Sequence, residues 1–367
     1  MRIVYITPRI NDEGGVPRVL SVKASYLSDV LGYEVHILTQ NHGNAPLFYD
    51  FSDKIKLHDM ILSGNKLQYL FQYKKALKSF VKSINPDVII VSDNGLKGFF
   101  VPWLLKTSIP IIFESHGSRF MEESQCKSGF LERIKREIIA NLKIKGARSF
   151  HKFMVLSEES KKEWNLDNAA IIPNPNWFLD EKISNLNHKT AISVSRHSYE
   201  KGLDRLLQIW QKVTQKHSDW ILAVYGKWDE KNTYQKLAKE LNIEENVRFF
   251  EPVKNIQEKY QEASLYLMTS RFEGFPMVLI EAMASGLPCV AFDCPVGPRA
   301  LIENSYNGFL IEENNIDAFS DKVIKLIENN TLAKEIGQHA SKSVQKYNID
   351  VVMKEWNALF QSIVGKH

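Results

Sequence analysis

Five short runs rich in β-branched residues, separated by longer stretches that include amphipathic segments, limit what the first half of this chain can fold into. The runs are Arg2 to Thr7, Glu34 to Thr39, Asp87 to Val91, Pro110 to Glu114 and Lys152 to Leu156. Between them lie helical patterns such as Val16 to Leu31 and Asn65 to Ser83. Strand and helix in alternation bury a parallel sheet on both faces. A second series follows at Ala191 to Ser195, Trp220 to Tyr225, Val247 to Phe249, Leu265 to Met268 and Pro288 to Phe292. Between the two series stands Ile171-Ile172-Pro173-Asn174-Pro175-Asn176 and then a polar stretch to Lys189. Prolines and polar residues after a strand suit a linker.

The chain has 367 residues, comfortable for two domains. The expectation is an α/β protein with two Rossmann-like, doubly wound parallel-sheet domains facing a central cleft. Residues 1–172 form the first domain, 173–189 the linker and 190–346 the second domain. A C-terminal helix at 347–367, amphipathic from Ile349 to Val364, packs back toward the first. Hydrophobic residues make up 44% and charged residues 25%, a globular composition. A net charge of +4 gives no argument for nucleic acid as a partner. Three irregularly spaced cysteines, Cys126, Cys289 and Cys294, fit neither a disulfide framework nor a metal-ligand pattern. The apolar run at the N-terminus is too short for a signal-peptide core. No stretch of about 20 apolar residues is available to span a membrane. A cytoplasmic protein is expected.

Open parallel sheets bind ligands outside the carboxyl ends of their strands, and the chemistry-bearing residues fall there. Gly14-Gly15-Val16-Pro17 follows the first strand and opens a helix. Glycines there let backbone N–H groups approach a phosphate, although a plain tight turn reads the same way. The motif is not G-x-G-x-x-G, which weakens a dinucleotide-dehydrogenase reading. Arg196 and Lys201 follow the first strand of the second series and enter a helix, where the dipole disfavours cations. A bound diphosphate removes that conflict; surface charge is the plain alternative. Glu273 and Glu281 stand eight apart, with Gly274 and Pro276 between them breaking the chain before a helix. Carboxylates accept hydrogen bonds from sugar hydroxyls, and the helix N-terminus offers N–H groups. Acids placed to favour the helix dipole give the same pattern.

Glu273-Gly274-Phe275-Pro276 with Glu281 resembles the E-x7-E signature of retaining family-4 glycosyltransferases. Gly14-Gly15, His116-Gly117, Ser195-Arg196 to Lys201-Gly202 and Ala284-Ser285-Gly286-Leu287-Pro288 occur in the expected order over nearly the whole chain. The resemblance implies the GT-B fold, with the donor nucleotide bound mainly by the second domain. It implies that Arg196 and Lys201 bind the donor diphosphate, that Glu281 holds the ribose hydroxyls and that Glu273 contacts the transferred sugar. The loop of Gly274, Phe275, Pro276, Met277 and Val278 would bind the donor, with backbone N–H groups near Phe275 to Val278 serving sugar hydroxyls and phosphate. Gly14 and Gly15 would approach the diphosphate, and His116 would bond to the transferred sugar. Gly226 would line the nucleotide pocket, and Val253 would lie near the base.

The loop Cys294-Pro295-Val296-Gly297-Pro298 before Arg299 resembles a subgroup found in capsule and O-antigen transferases, which favours galactose-type sugars. No Asp-x-Asp motif stands ready to hold a divalent metal, so no metal and no cofactor are expected. The implied partners are a nucleotide-sugar donor, with UDP favoured, and a glycan or polyprenyl-diphosphate-linked oligosaccharide acceptor. The basic segment Cys126 to Lys152, interleaved with apolar residues, is expected to offer peripheral contact with the cytoplasmic face of the inner membrane. The same pattern fits a core-packed helix with a solvated face. An inactive GT-B partner subunit and a nucleotide-sugar epimerase are the rival functions; the Glu273–Glu281 spacing favours the transferase.

Overall fold

The computed structural model describes residues 1–43, 45–118, 130–178 and 182–365. The chain divides into two compact units. The first takes Met1–Pro175 together with Ile349–His367, and the second takes Asn176–Asn348.

The first unit holds seven parallel strands. In chain order these are β1 (Arg2–Ile6), β2 (Glu34–Gln40), β3 (Lys56–Met60), β4 (Val88–Val91), β5 (Ile111–Glu114), β6 (Lys152–Val155) and β7 (Ala169–Ile171). Their order in the sheet is β3-β2-β1-β4-β5-β6-β7. Because side chains alternate along a strand, β1 feeds two cores. Val4 and Ile6 join Tyr73, Leu77 and Phe113 on one face. Ile3 and Tyr5 join Leu20, Leu27 and Ile112 on the other. That second core is completed by Val352, Met353, Trp356, Phe360 and Ile363 of helix Ile349–Val364.

The second unit holds six parallel strands: β8 (Thr190–Val194), β9 (Ile221–Tyr225), β10 (Val247–Phe250), β11 (Leu265–Met268), β12 (Cys289–Phe292) and β13 (Phe309–Ile311). Their order is β10-β9-β8-β11-β12-β13. Helix Leu203–Thr214 buries Leu203, Leu206, Leu207, Trp210 and Val213, spaced at three and four residues, against β8, β9 and β11. Residues 182–189 are seated on this unit. Ser184 is buried, its N–H donating to Ser285 O (2.8 Å) and its hydroxyl to Ala263 O (2.6 Å). The unit's two ends meet where the Asn176 N–H donates to Tyr347 O, 2.6 Å away.

Strand order reverses between β1 and β4 in one sheet and between β8 and β11 in the other. Connections leave such a reversal in opposite directions and open a crevice at the carboxyl ends. Gly14 and His116 belong to loops at that end of the first sheet, and Gly15 opens the helix that follows β1. Arg196, Lys201 and Glu273 belong to those of the second.

Candidate active site

In the second unit the chain leaves β8 through Ser195-Arg196-His197-Ser198, makes a single 3-10 turn at Tyr199–Lys201 and enters helix Leu203–Thr214. Gly202 sits at φ +64°, and a Cβ there would lie 2.1 Å from Thr269 O. Only glycine lets this turn close against the end of β11. The turn is clamped from the next loop. Arg271 grips Asp204 with both guanidinium nitrogens (2.8 and 2.6 Å), donates to Tyr199 O (2.7 Å) and lies over the Tyr199 ring. Bidentate guanidinium–carboxylate pairs are the strong and directional kind.

That clamp places the Lys201 Nζ 2.7 Å from Glu273 Oε1. Two residues distant in sequence are thereby brought into one ion pair. Glu273 is further fixed by a parallel bridge to Val296. A Cβ on Gly297 would stand 2.5 Å from the Glu273 Cβ, so the loop after β12 must carry glycine to pass this close. Val296 itself takes φ +74°. A β-branched residue rarely adopts that conformation, and such strain gathers at functional loops.

Helix Met277–Ala284 begins directly after Glu273-Gly274-Phe275-Pro276, with Pro276 at its N-cap and no acid in its first turn. Its N-terminal N–H groups carry a partial positive charge with no fixed counter-charge from its own turn. Phe275 packs edge-on against Tyr347, and Met277 is buried. Glu281 is buried one turn along, where the Tyr260 hydroxyl donates to its Oε2 (3.0 Å). Burial, followed by the Glu281 charge, pushes the Tyr260 hydroxyl well above its ordinary range, so it stays a donor. Tyr260 also reaches Val278 O at 3.2 Å.

Arg196 is placed differently from Lys201. Its guanidinium is largely exposed and lies 3.6 Å from Glu200. Arg299 turns to Asp293, with Nε donating to Oδ1 at 2.9 Å. Gly226 allows another close approach, since a Cβ there would meet Ser195 O at 1.9 Å. The loops after β8, β9 and β10 are tied together by Ser195 N–H to Tyr225 O (2.9 Å), His197 N–H to Lys227 O (2.8 Å) and Gly226 N–H to Phe250 O (2.9 Å). Phe250 stacks on Tyr225, and Val253 is partly exposed just beyond. His197 is buried in an aromatic box of Trp228, Tyr234 and Phe249. Burial lowers it to about 4.

In the first unit, Gly14 caps helix Gly15–Asp29, and its N–H donates to Asp12 Oδ1 (2.9 Å). Gly15 is exposed, and a Cβ on it would meet nothing within 4 Å. Nothing in the protein's own packing demands glycine at that position. His116 lies after β5 with Nε2 3.2 Å from Glu114 Oε2. Glu114 is buried and pairs with Lys23, whose ammonium stands 3.8 Å from the centre of the Trp356 ring. Burial alone raises a carboxyl, but Lys23 and His116 bring Glu114 down to about 2. Burial and the Glu114 charge together raise the neighbouring Tyr5 hydroxyl.

Lys23, Glu114, Tyr260 and the Arg271–Asp204 clamp were not singled out from the sequence. Lys23 did leave a signal. It falls among Leu20, Ala24 and Leu27, the core-facing stripe of its helix, where a lysine needs a buried partner. Tyr260 left none.

Among the described residues, no group of three or more His, Cys, Asp or Glu side chains is arranged to hold a metal. Nor is any helix there long and apolar enough to cross a membrane. The basic segment Cys126 to Lys152 lies partly outside the described residues, which resume with helix Phe130–Arg148.

Residues 13–175 match the family "Glycosyltransferase Family 4", and residues 177–343 match "Glycosyl transferases group 1". A glycosyltransferase of Haemophilus influenzae is 31% identical, the alignment covering 98% of this chain and 99% of the relative. The chain belongs to the family-4 glycosyltransferases. The amylovoran biosynthesis glycosyltransferase of Erwinia amylovora is 26% identical over 97% of this chain and 98% of its own length. An Anabaena protein solved in complex with UDP-glucose superposes with a TM-score of 0.80 at 17% identity, covering 99% of this chain and 100% of that one. The two parallel-sheet units are those of the GT-B fold.

Proposed function

We propose that this family member is a metal-independent, retaining enzyme. It transfers a hexose or N-acetylhexosamine from a UDP-sugar to a glycan acceptor, carried on a lipid, during surface polysaccharide synthesis. The observation that carries the reading is the Lys201–Glu273 pair beside the open N-terminus of helix Met277–Ala284. A cation, a carboxylate and a set of N–H groups lie within one loop cluster. The departing diphosphate needs the first and third, and a sugar hydroxyl needs the second. The Anabaena structure with UDP-glucose supports a UDP-linked donor. The amylovoran relative supports polysaccharide assembly. The Cys294-Pro295-Val296-Gly297-Pro298 loop favours a galactose-type sugar.

The barrier lies in breaking the bond between the anomeric carbon and the phosphate oxygen. Negative charge grows on the diphosphate as the sugar takes oxocarbenium character. Lys201 turns from Glu273 to the incoming diphosphate, and Arg196, exposed and loosely held by Glu200, swings to join it. Fixed N–H groups aimed at the same oxygens stabilise the charge without reorganisation. Glu273 then accepts hydrogen bonds from the sugar, and Glu281, braced by Tyr260, holds the ribose. The acceptor hydroxyl attacks from the leaving-group face. Its proton passes to the departing phosphate oxygen, so configuration is retained and no protein nucleophile is required.

The test is calorimetric binding of a panel of UDP-, GDP- and ADP-sugars in EDTA. One UDP-sugar is expected to bind, and Glu281→Ala and Lys201→Ala are each expected to weaken it about tenfold or more, the scale of a lost charge-assisted hydrogen bond. Binding only after magnesium or manganese is restored sinks metal independence. Binding unchanged in both variants sinks the site.

A further inference from the structure

Helix Lys66–Ile84 of the first unit carries two surfaces. Tyr73, Leu77 and Val81 are buried, with Tyr69, Ala76 and Phe80 packed beside them. The opposite face is unusual. Leu67 is 80% exposed and Phe71 70% exposed, four residues apart. Leu70 flanks them at 48%, and Ile61, in the loop leading to the helix, stands 86% exposed. Four large exposed apolar side chains thus fall within the eleven residues 61–71 that lead into and open the helix, denser than the isolated exposed residues normal for a protein surface.

Farther along the same outward face, at helical spacings from Phe71, come Lys74, Lys75, Lys78 and Lys82. With Lys66 they make five lysines and no acid in 19 residues. All five are exposed, and none makes an ion pair among the described residues. The first turn is held rigid by a reciprocal cap. The Asn65 side chain accepts from the Leu67 and Gln68 N–H groups, and the Gln68 side chain accepts from the Asn65 N–H. The apolar end is therefore ordered while unpartnered.

We propose that this face docks the protein on an anionic lipid bilayer. Ile61, Leu67, Leu70 and Phe71 enter the acyl boundary, and the lysine row rests on the lipid phosphates. An apolar tip followed by lysines fits that gradient of polarity, from hydrocarbon to headgroup. Charge complementarity decides the occupant. A second copy of this chain offers the same row of unpaired lysines, which repel one another. The inference does not depend on the donor or acceptor proposed above, because it is read by binding alone.

The test is co-sedimentation of the full chain with vesicles of phosphatidylcholine, with and without phosphatidylglycerol. Binding is expected only with phosphatidylglycerol present, and it weakens as salt rises. Leu67→Ser/Phe71→Ser and, separately, Lys74→Gln/Lys75→Gln/Lys78→Gln/Lys82→Gln are each expected to lower partitioning by about tenfold or more. All six side chains are solvent-exposed, so melting temperature and donor binding should hold in both variants. No binding to anionic vesicles, equal binding to neutral ones, or binding unchanged in both variants overturns the proposal. So does a dimer in solution that Phe71→Ser dissolves while the wild type ignores vesicles.

Discussion

Each unit places a lysine against a glutamate at the carboxyl end of a sheet, and the two pairs differ in nearly everything else. Lys23 and Glu114 are sealed, with side chains 2% and 4% exposed and Trp356 closing over the ammonium. Lys201 and Glu273 are 19% and 9% exposed and lie at a loop with a helix N-terminus beside them. A sealed pair has lost its water and has nothing else to bind, so it holds structure. A pair that solvent still reaches can trade its partner for a ligand. On the proposed reading, ionic chemistry at a strand end becomes a site only where the charges remain exchangeable.

The largest expected effect falls on the sealed pair. Glu114→Gln leaves a buried ammonium without its counter-charge, and urea unfolding should show a loss of about 3–5 kcal/mol. Lys23→Met/Glu114→Leu, which removes both charges, should recover most of that loss. If the double variant is as unstable as the single one, the pair is more than an electrostatic lock.

Next comes the open pair. Lys201→Met should lower kcat/KM by about 10²–10³, the scale of losing one donor to a developing oxyanion. Its unfolding free energy should change by only about 1 kcal/mol, as for a partly solvated pair. A stability loss like that of Glu114→Gln would erase the distinction between the two pairs.

The smallest effect concerns His197, buried among Trp228, Tyr234 and Phe249, where desolvation outweighs the opposing charge of Asp229. Its folded pKa of about 4 lies below the usual 6.5. Between those values the unfolded chain holds the extra proton, so stability falls as pH drops from about 6.5 toward 4. His197→Phe should flatten that acid limb in melting curves taken across the window. An unchanged limb would assign it to the carboxylates instead.

Much of this architecture was written in the sequence, and the exceptions lie at sheet edges. Leu265 to Met268 was read with the bounds it has, and every other strand assigned there agrees with the structure to within a residue or so. The strands not apparent from the sequence are β3, β7 and β13, all at sheet edges. An edge strand has one neighbour and is only partly covered, so Lys56–Met60 reads as mixed charge, not as an apolar run. The polar stretch before Lys189 read as linker because polarity is what sequence displays. Ser184 is buried there all the same, its polar groups met by Ser285 and Ala263. At the candidate site, Glu273, Glu281 and Lys201 stand out in the sequence because turn-forming glycine and proline frame them. The Arg271–Asp204 clamp was not, since nothing local marks two residues as partners across 67 positions.

One core of the first unit stays incomplete until Trp356 and Phe360 arrive from helix Ile349–Val364. The second unit, Asn176–Asn348, is made in between. At synthesis rates of about 5–20 residues per second, the nascent first sheet waits on the order of 10 to 30 s on the ribosome for its last wall. During that interval Ile3, Tyr5, Leu20 and Leu27 have an uncovered flank, while the second unit is encoded as one uninterrupted stretch. The half whose synthesis begins first is therefore the half whose core is closed last, and it is the one a chaperone has most reason to hold.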